Sequence, residues 1–67
     1  MRTKYIKIKV NDIYAGTFYY CTYEIDTKHN QYTLVIRHDN SLIYCIAFDQ
    51  EVNIVENDRE ITINITK

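Results

Sequence analysis

From Glu60 to Thr66 the chain sets Ile61, Ile63 and Ile65 against Thr62, Asn64 and Thr66, and a period of two of this kind recurs along most of its length. Successive side chains of a strand point to opposite faces, so a period of two is the signature of a half-buried strand. Lys4 to Val10 sets Ile6, Ile8 and Val10 against Lys7 and Lys9. Thr17 to Ile25, Gln31 to Arg37, Leu42 to Phe48 and Glu51 to Glu56 complete six candidate strands, rich in β-branched and aromatic residues. No stretch carries the spacing of an amphipathic helix. The expectation is a single all-β domain over residues 1–67: a small six-stranded antiparallel meander, curled into a barrel or a strongly twisted sheet, with no substantial helix.

Register follows from the turns. If Asp39-Asn40, Asp49-Gln50 and Asn57-Asp58 are two-residue hairpin loops, residues opposite one another share a face. Ile36 then faces Ile43, Leu34 faces Cys45, Cys45 faces Ile54, Ala47 faces Val52, Ile54 faces Ile61 and Val52 faces Ile63. Four strands acquire one common apolar face, and a slip of one residue in any turn would destroy the agreement. Either loop length between Asp26 and Asn30 adds Tyr19, Cys21, Tyr23 and Ile25 to that face. Gly16 marks a bulge or bend after the first strand, which is expected to close against the last and so remove exposed edges. A curled open sheet covered by a second copy is the alternative.

The opposite face carries Thr33, Arg37, Glu51, Asn53, Glu60, Thr62 and Asn64, but also Phe18, Tyr20, Val35, Leu42, Tyr44, Ile46, Phe48 and Val55. The strand from Leu42 to Phe48 is thus apolar on both sides, which a strand with one wet face is not. Exposed contiguous apolar surface marks an interface. Phe18, Tyr20, Val35, Tyr44, Ile46, Phe48 and Val55 are accordingly the candidate interface, used for a homodimer, a higher homo-oligomer or a partner protein. An N-terminal hairpin folded over them within one chain is the competing explanation.

Chemistry-bearing constellations are scarce. Cys21 and Cys45 face inward two strands apart, roughly 10 Å at 4.8 Å per strand and beyond disulfide reach, so two buried thiols in a reduced compartment are expected. No Cys-x-x-Cys or paired-His spacing suggests a metal, and His29 and His38 occupy different turns. Ser41 lacks a glycine elbow, His38-Asp39 lies in a turn, and one glycine in the whole chain cannot build a phosphate-cradling loop. No cofactor and no enzymatic activity are expected. Seven tyrosines supply stiff, amphipathic contact area of the kind that suits recognition surfaces. Tyrosines beside Lys7, Lys9 and Arg37 would also suit stacking and phosphate contact, which makes a nucleotide- or nucleic-acid-binding barrel the second functional class.

The 67 residues hold one small core, whose burial barely offsets chain entropy, so self-association gains weight. With 46% hydrophobic and 25% charged residues the chain is not a disordered tail. No apolar run approaches the ~18 residues of a membrane span, and the first residues do not form a signal-peptide core. A cytoplasmic protein without membrane contact is expected. Net charge is −1, which argues against general coating of nucleic acid, yet Arg2, Lys4, Lys7 and Lys9 open the chain while acids gather late. Eleven Ile, six Asn and five Lys join the tyrosines in a vocabulary of A/T-rich codons, typical of phage and other mobile elements. The leading functional expectation is a small phage-encoded protein that docks on a host protein, such as a host-defence factor, and inhibits or modulates it. A virion structural or assembly component is a further alternative.

Overall fold

The computed structural model describes residues 4–28, 31–49 and 52–67. They form seven strands and no helix: β1 (Tyr5–Val10), β2 (Ile13–Phe18), β3 (Thr22–Lys28), β4 (Gln31–His38), β5 (Ser41–Phe48), β6 (Asn53–Glu56) and β7 (Glu60–Ile65). None of the described residues therefore belongs to a helix long and apolar enough to cross a membrane. The strands divide into two sheets, one ordered β2-β1-β7-β6 and the other β3-β4-β5. Neither closes into a barrel. All neighbours are antiparallel except β1 and β7, which run parallel in register from Tyr5 opposite Glu60 to Val10 opposite Ile65.

The three-stranded sheet packs over the four-stranded one, so the cover for the apolar face comes from the same chain. Ile6 and Ile8 of β1, Ile63 and Ile65 of β7, Leu34 and Ile36 of β4, Phe48 of β5 and Cys21 form the core, with Tyr23, Ile25, Tyr32, Tyr44, Ile46, Phe18 and Ile61 packed against it. Alternation on β1, β4 and β7 thus points inward as the sequence predicts. Cross-sheet ring contact joins Phe18 to Tyr44, with centroids 5.2 Å apart, and Tyr32 stacks on Phe48 at 5.5 Å.

Three expectations about the turns are corrected. Asp39-Asn40 does form a two-residue loop, both residues at positive φ (50° and 67°), the combination a type I′ hairpin turn demands. Beyond it, however, a bulge between Ile36 and Arg37 admits one extra residue on β5, so Ile36 faces Tyr44 and Leu34 faces Ile46. One inserted residue exchanges the two faces of a strand. Tyr44, Ile46 and Phe48 therefore point into the core, while Ile43, Cys45 and Ala47 are exposed. The second correction concerns β5 and β6, which lie in different sheets, so Cys45 does not face Ile54 nor Ala47 Val52; Gln50 and Glu51 of that connection lie outside the described residues, as do His29 and Asn30 of the β3–β4 turn. The third is a shift of two at the β6–β7 turn, where Ile54 faces Ile63, because Asn57 and Glu60 still belong to the ladder through the Asn57 N–H bond to the Glu60 carbonyl (2.9 Å). A shift of two preserves the faces.

The expected strand from Thr17 to Ile25 is really the end of β2 and most of β3. Asn11 and Asp12, at φ 52° and 67°, make another two-residue turn that starts β2, with Ala15 extra at a bulge beside Gly16. Between β2 and β3 the chain passes from one sheet to the other through Tyr19, Tyr20 and Cys21. Polar contacts then join strands of the larger sheet: across β1 and β7 Tyr5 donates to Glu60 (2.7 Å) and Lys7 approaches the same carboxylate at 3.7 Å, within β7 Thr62 donates to Glu60 (2.7 Å), and Lys4, just before β1, pairs with Glu56 of β6.

Candidate protein-docking site

The crossing between the sheets has a strained centre. Tyr20 sits at φ 60°, a region that disfavours a side chain with a Cβ and is an outlier for a bulky residue. Its carbonyl accepts a hydrogen bond from His38 Nδ1 at 2.9 Å, so this ring nitrogen carries the proton, and His38 Nε2 lies 3.4 Å from Asp39. The ring of Tyr20 gains no burial in return: the residue is 73% exposed. His38 is held opposite Ser41 at the start of β5, and the β5 bulge turns Leu42 and Ile43 outward at 57% and 47% exposure. Tyr20, leading into β3, and Leu42 and Ile43, at the start of β5, thus lie at the same end of the three-stranded sheet on opposite sides of β4, which also carries the Arg37–Glu24 pair (3.1 Å) on its outer face.

Of the residues named from sequence, Tyr20 is exposed as expected. Phe18, Tyr44 and Ile46 are half-buried against the core and Phe48 is 1% exposed, so this group does not form an external surface. The reason is the register change at the β5 bulge, together with the β1–β2 hairpin lying in the opposing sheet. Val35 is buried on the outer side of β4 between Glu24 and Cys45, and Val55 is exposed on β6, in the other sheet. Lys7 and Lys9 point to the outer side of β1, beside Thr62 and Asn64, whereas Arg37 belongs to the three-stranded sheet; the structure does not bring the three together. Sequence reasoning missed Ile43 by assigning it to the core. Its signal was faint: an unbroken apolar strand is what a bulge leaves when it swaps faces midway.

Cys21 is buried, its Sγ donating to the Tyr19 carbonyl at 3.2 Å, and burial raises its pKa above the usual thiol value. Cys45 is free and exposed, which corrects the expectation of two buried thiols. A hollow of about 260 Å³ opens beside Cys21, walled by Ile6, Ile61 and Tyr23, below the ~300 Å³ at which small-molecule pockets begin. Among the described residues no three His, Cys, Asp or Glu side chains gather as metal ligands. Comparison with protein-family models, curated proteins and solved structures gives no match to this chain.

Proposed function

We propose that the chain is a non-enzymatic binding protein that docks on another protein through Tyr20, Leu42 and Ile43, and that it serves a mobile element by blocking or modulating a host protein. The observation that carries the reading is Tyr20: a large aromatic at positive φ whose carbonyl accepts a hydrogen bond from the His38 ring, yet which is left in water. Strained residues persist where the surrounding structure enforces them, and they concentrate at functional sites. Tyrosine is also among the residue types enriched as interface anchors that fill a pocket on a partner. A flat, toothless surface of separated charges would offer no such anchor.

The test compares captures by immobilised wild-type chain, by Tyr20→Asn/Leu42→Asp and by a control Val55→Asp, all from lysate of the expressing host. Asn tolerates positive φ, so the double variant keeps its circular-dichroism spectrum. A partner held by wild type and control, and weakened at least tenfold in the double variant, supports the assignment. Equal capture by all three, or none by wild type, refutes it.

A further inference from the structure

The passage from one sheet to the other is held by a side chain of β4. His38 ends that strand, and its ring lies between two acceptors: Nδ1 reaches the Tyr20 carbonyl at 2.9 Å, and Nε2 lies 3.4 Å from the Asp39 carboxylate. A neutral imidazole has one N–H and one lone pair, so it donates to one acceptor and turns a lone pair on the other. An imidazolium donates to both. Tyr20 and Asp39 are both at positive φ, 60° and 50°. In Asp39 the turn demands it and Asp tolerates it, whereas in Tyr20 it is unfavourable. Three other side chains border this corner among the described residues, and none competes for the ring. The Cys21 thiol, its pKa raised by burial and then by the Asp39 charge, donates to the Tyr19 carbonyl. Arg37 is engaged with Glu24 on the outer face, and Ser41, opposite His38 on β5, carries no charge.

We propose that His38 is a pH-sensitive clasp on the crossing: protonated, it holds the Tyr20 carbonyl and Asp39 together, and on losing its proton to solvent it keeps Asp39 and lets the Tyr20 carbonyl go. Two effects decide which acceptor the neutral ring keeps. A hydrogen bond to an ionised carboxylate is roughly twice as strong as one to a neutral carbonyl. Freeing the Tyr20 carbonyl also lets that residue leave a disfavoured φ, which adds to the drive toward release. His38 is exposed, so its proton exchanges directly with water, and an imidazole changes charge near ~6.5. Cys21 follows Tyr20 in the chain and is buried, so opening of the crossing uncovers its thiol. The clasp goes beyond the proposed docking role: it operates whether or not Tyr20 meets a partner, and it is read on the purified chain alone.

Nitrogen NMR shifts of the His38 ring read the tautomer in the wild-type chain, with no variant needed. At about pH 5.5 both ring nitrogens should be protonated, and at about pH 7.5 the remaining proton should reside on Nε2. A neutral ring protonated at Nδ1 overturns the proposal. The consequence for the crossing is read from the thiols. Thiols react as thiolates, and well below the thiol range that fraction rises tenfold per pH unit, so the ratio of maleimide labelling rates at buried Cys21 and exposed Cys45 cancels this dependence. Between about pH 5.5 and 7.5 the wild-type ratio should rise about two- to tenfold, the size set by the net worth of one hydrogen bond. Asp39→Asn keeps the positive φ and removes the competing charge, so the neutral ring stays on Tyr20 and the ratio stays low at both values. His38→Gln has no proton to lose there, and its ratio should not change with pH. A wild-type ratio that is flat or falls, or a rise that persists in either variant, overturns the clasp.

Discussion

Phe48→Ala measures the face exchange on β5 directly. The Phe48 ring is 1% exposed and stacked on Tyr32. Burial of roughly 150–250 Å² at about 25 cal/mol per Å² corresponds to some 4–6 kcal/mol, consistent with the ~3–5 kcal/mol that Phe-to-Ala truncations cost in cores. Set against roughly 0.05–0.15 kcal/mol per residue, or about 3–10 kcal/mol for a chain of this length, the substitution consumes most of the stability. Its neighbour on the other face gives the control: Ile43→Ala removes an exposed side chain and should cost less than about 1 kcal/mol. Urea titration followed by tyrosine fluorescence and circular dichroism reads both as shifts of midpoint at constant slope. In thermal unfolding Phe48→Ala should fall by at least ~12 °C, at about 4–8 °C per kcal/mol for a domain of this size. A Phe48→Ala loss under about 1 kcal/mol, or an Ile43→Ala loss as large as that of Phe48→Ala, would refute the register with the bulge.

Three further outcomes follow from the Tyr5–Glu60 contact and from the thiols. Hydrogen bonds from Thr62 and Tyr5 hold the Glu60 pKa below the usual carboxylate value, so Glu60 adds stability above that value and loses it as pH falls through the lowered one; Glu60→Gln should flatten the acid limb of a stability–pH curve. The same bond, with Glu60 as acceptor, raises the Tyr5 pKa above 10.0, so its contribution is complete below 10.0 and fades as pH climbs through the raised value; Tyr5→Phe should remove that alkaline loss. Maleimide should label the native chain once, at Cys45, and twice in urea, counted by intact mass.

The faces of β1, β4 and β7 were legible because alternation is all that a regular strand needs, and Ile6, Ile8, Leu34, Ile36 and Ile63 lie where their parity puts them. The division into two sheets was not. Phe18, Tyr19 and Tyr20 are good strand formers, and nothing in their side chains announces the positive φ that carries the chain across between sheets. Asp49 and Gln50 read as one more hairpin, although β5 and β6 belong to different sheets. The bulge at Ile43 was hidden most completely, since both faces of β5 are apolar and either parity satisfies a pattern. Tyr20 was legible as an aromatic on the surface, but its strain came only from the backbone.

The parallel pairing of β1 with β7 has a cost in time. Every partner across it is 55 positions away in the chain, from Tyr5 with Glu60 to Val10 with Ile65. Closing such a loop costs about 3–4 kcal/mol of chain entropy before any contact repays it, and distant pairing slows folding toward milliseconds to seconds. At ~5–20 residues per second of synthesis, β1 and its hairpin wait roughly 3–11 s on the ribosome before their central neighbour exists. Throughout that interval Ile6 and Ile8 have β2 on one side but lack Ile61, Ile63 and Ile65 of β7 on the other. A nascent chain of this design is most vulnerable to chaperones, proteases and its own copies just before its last strand arrives.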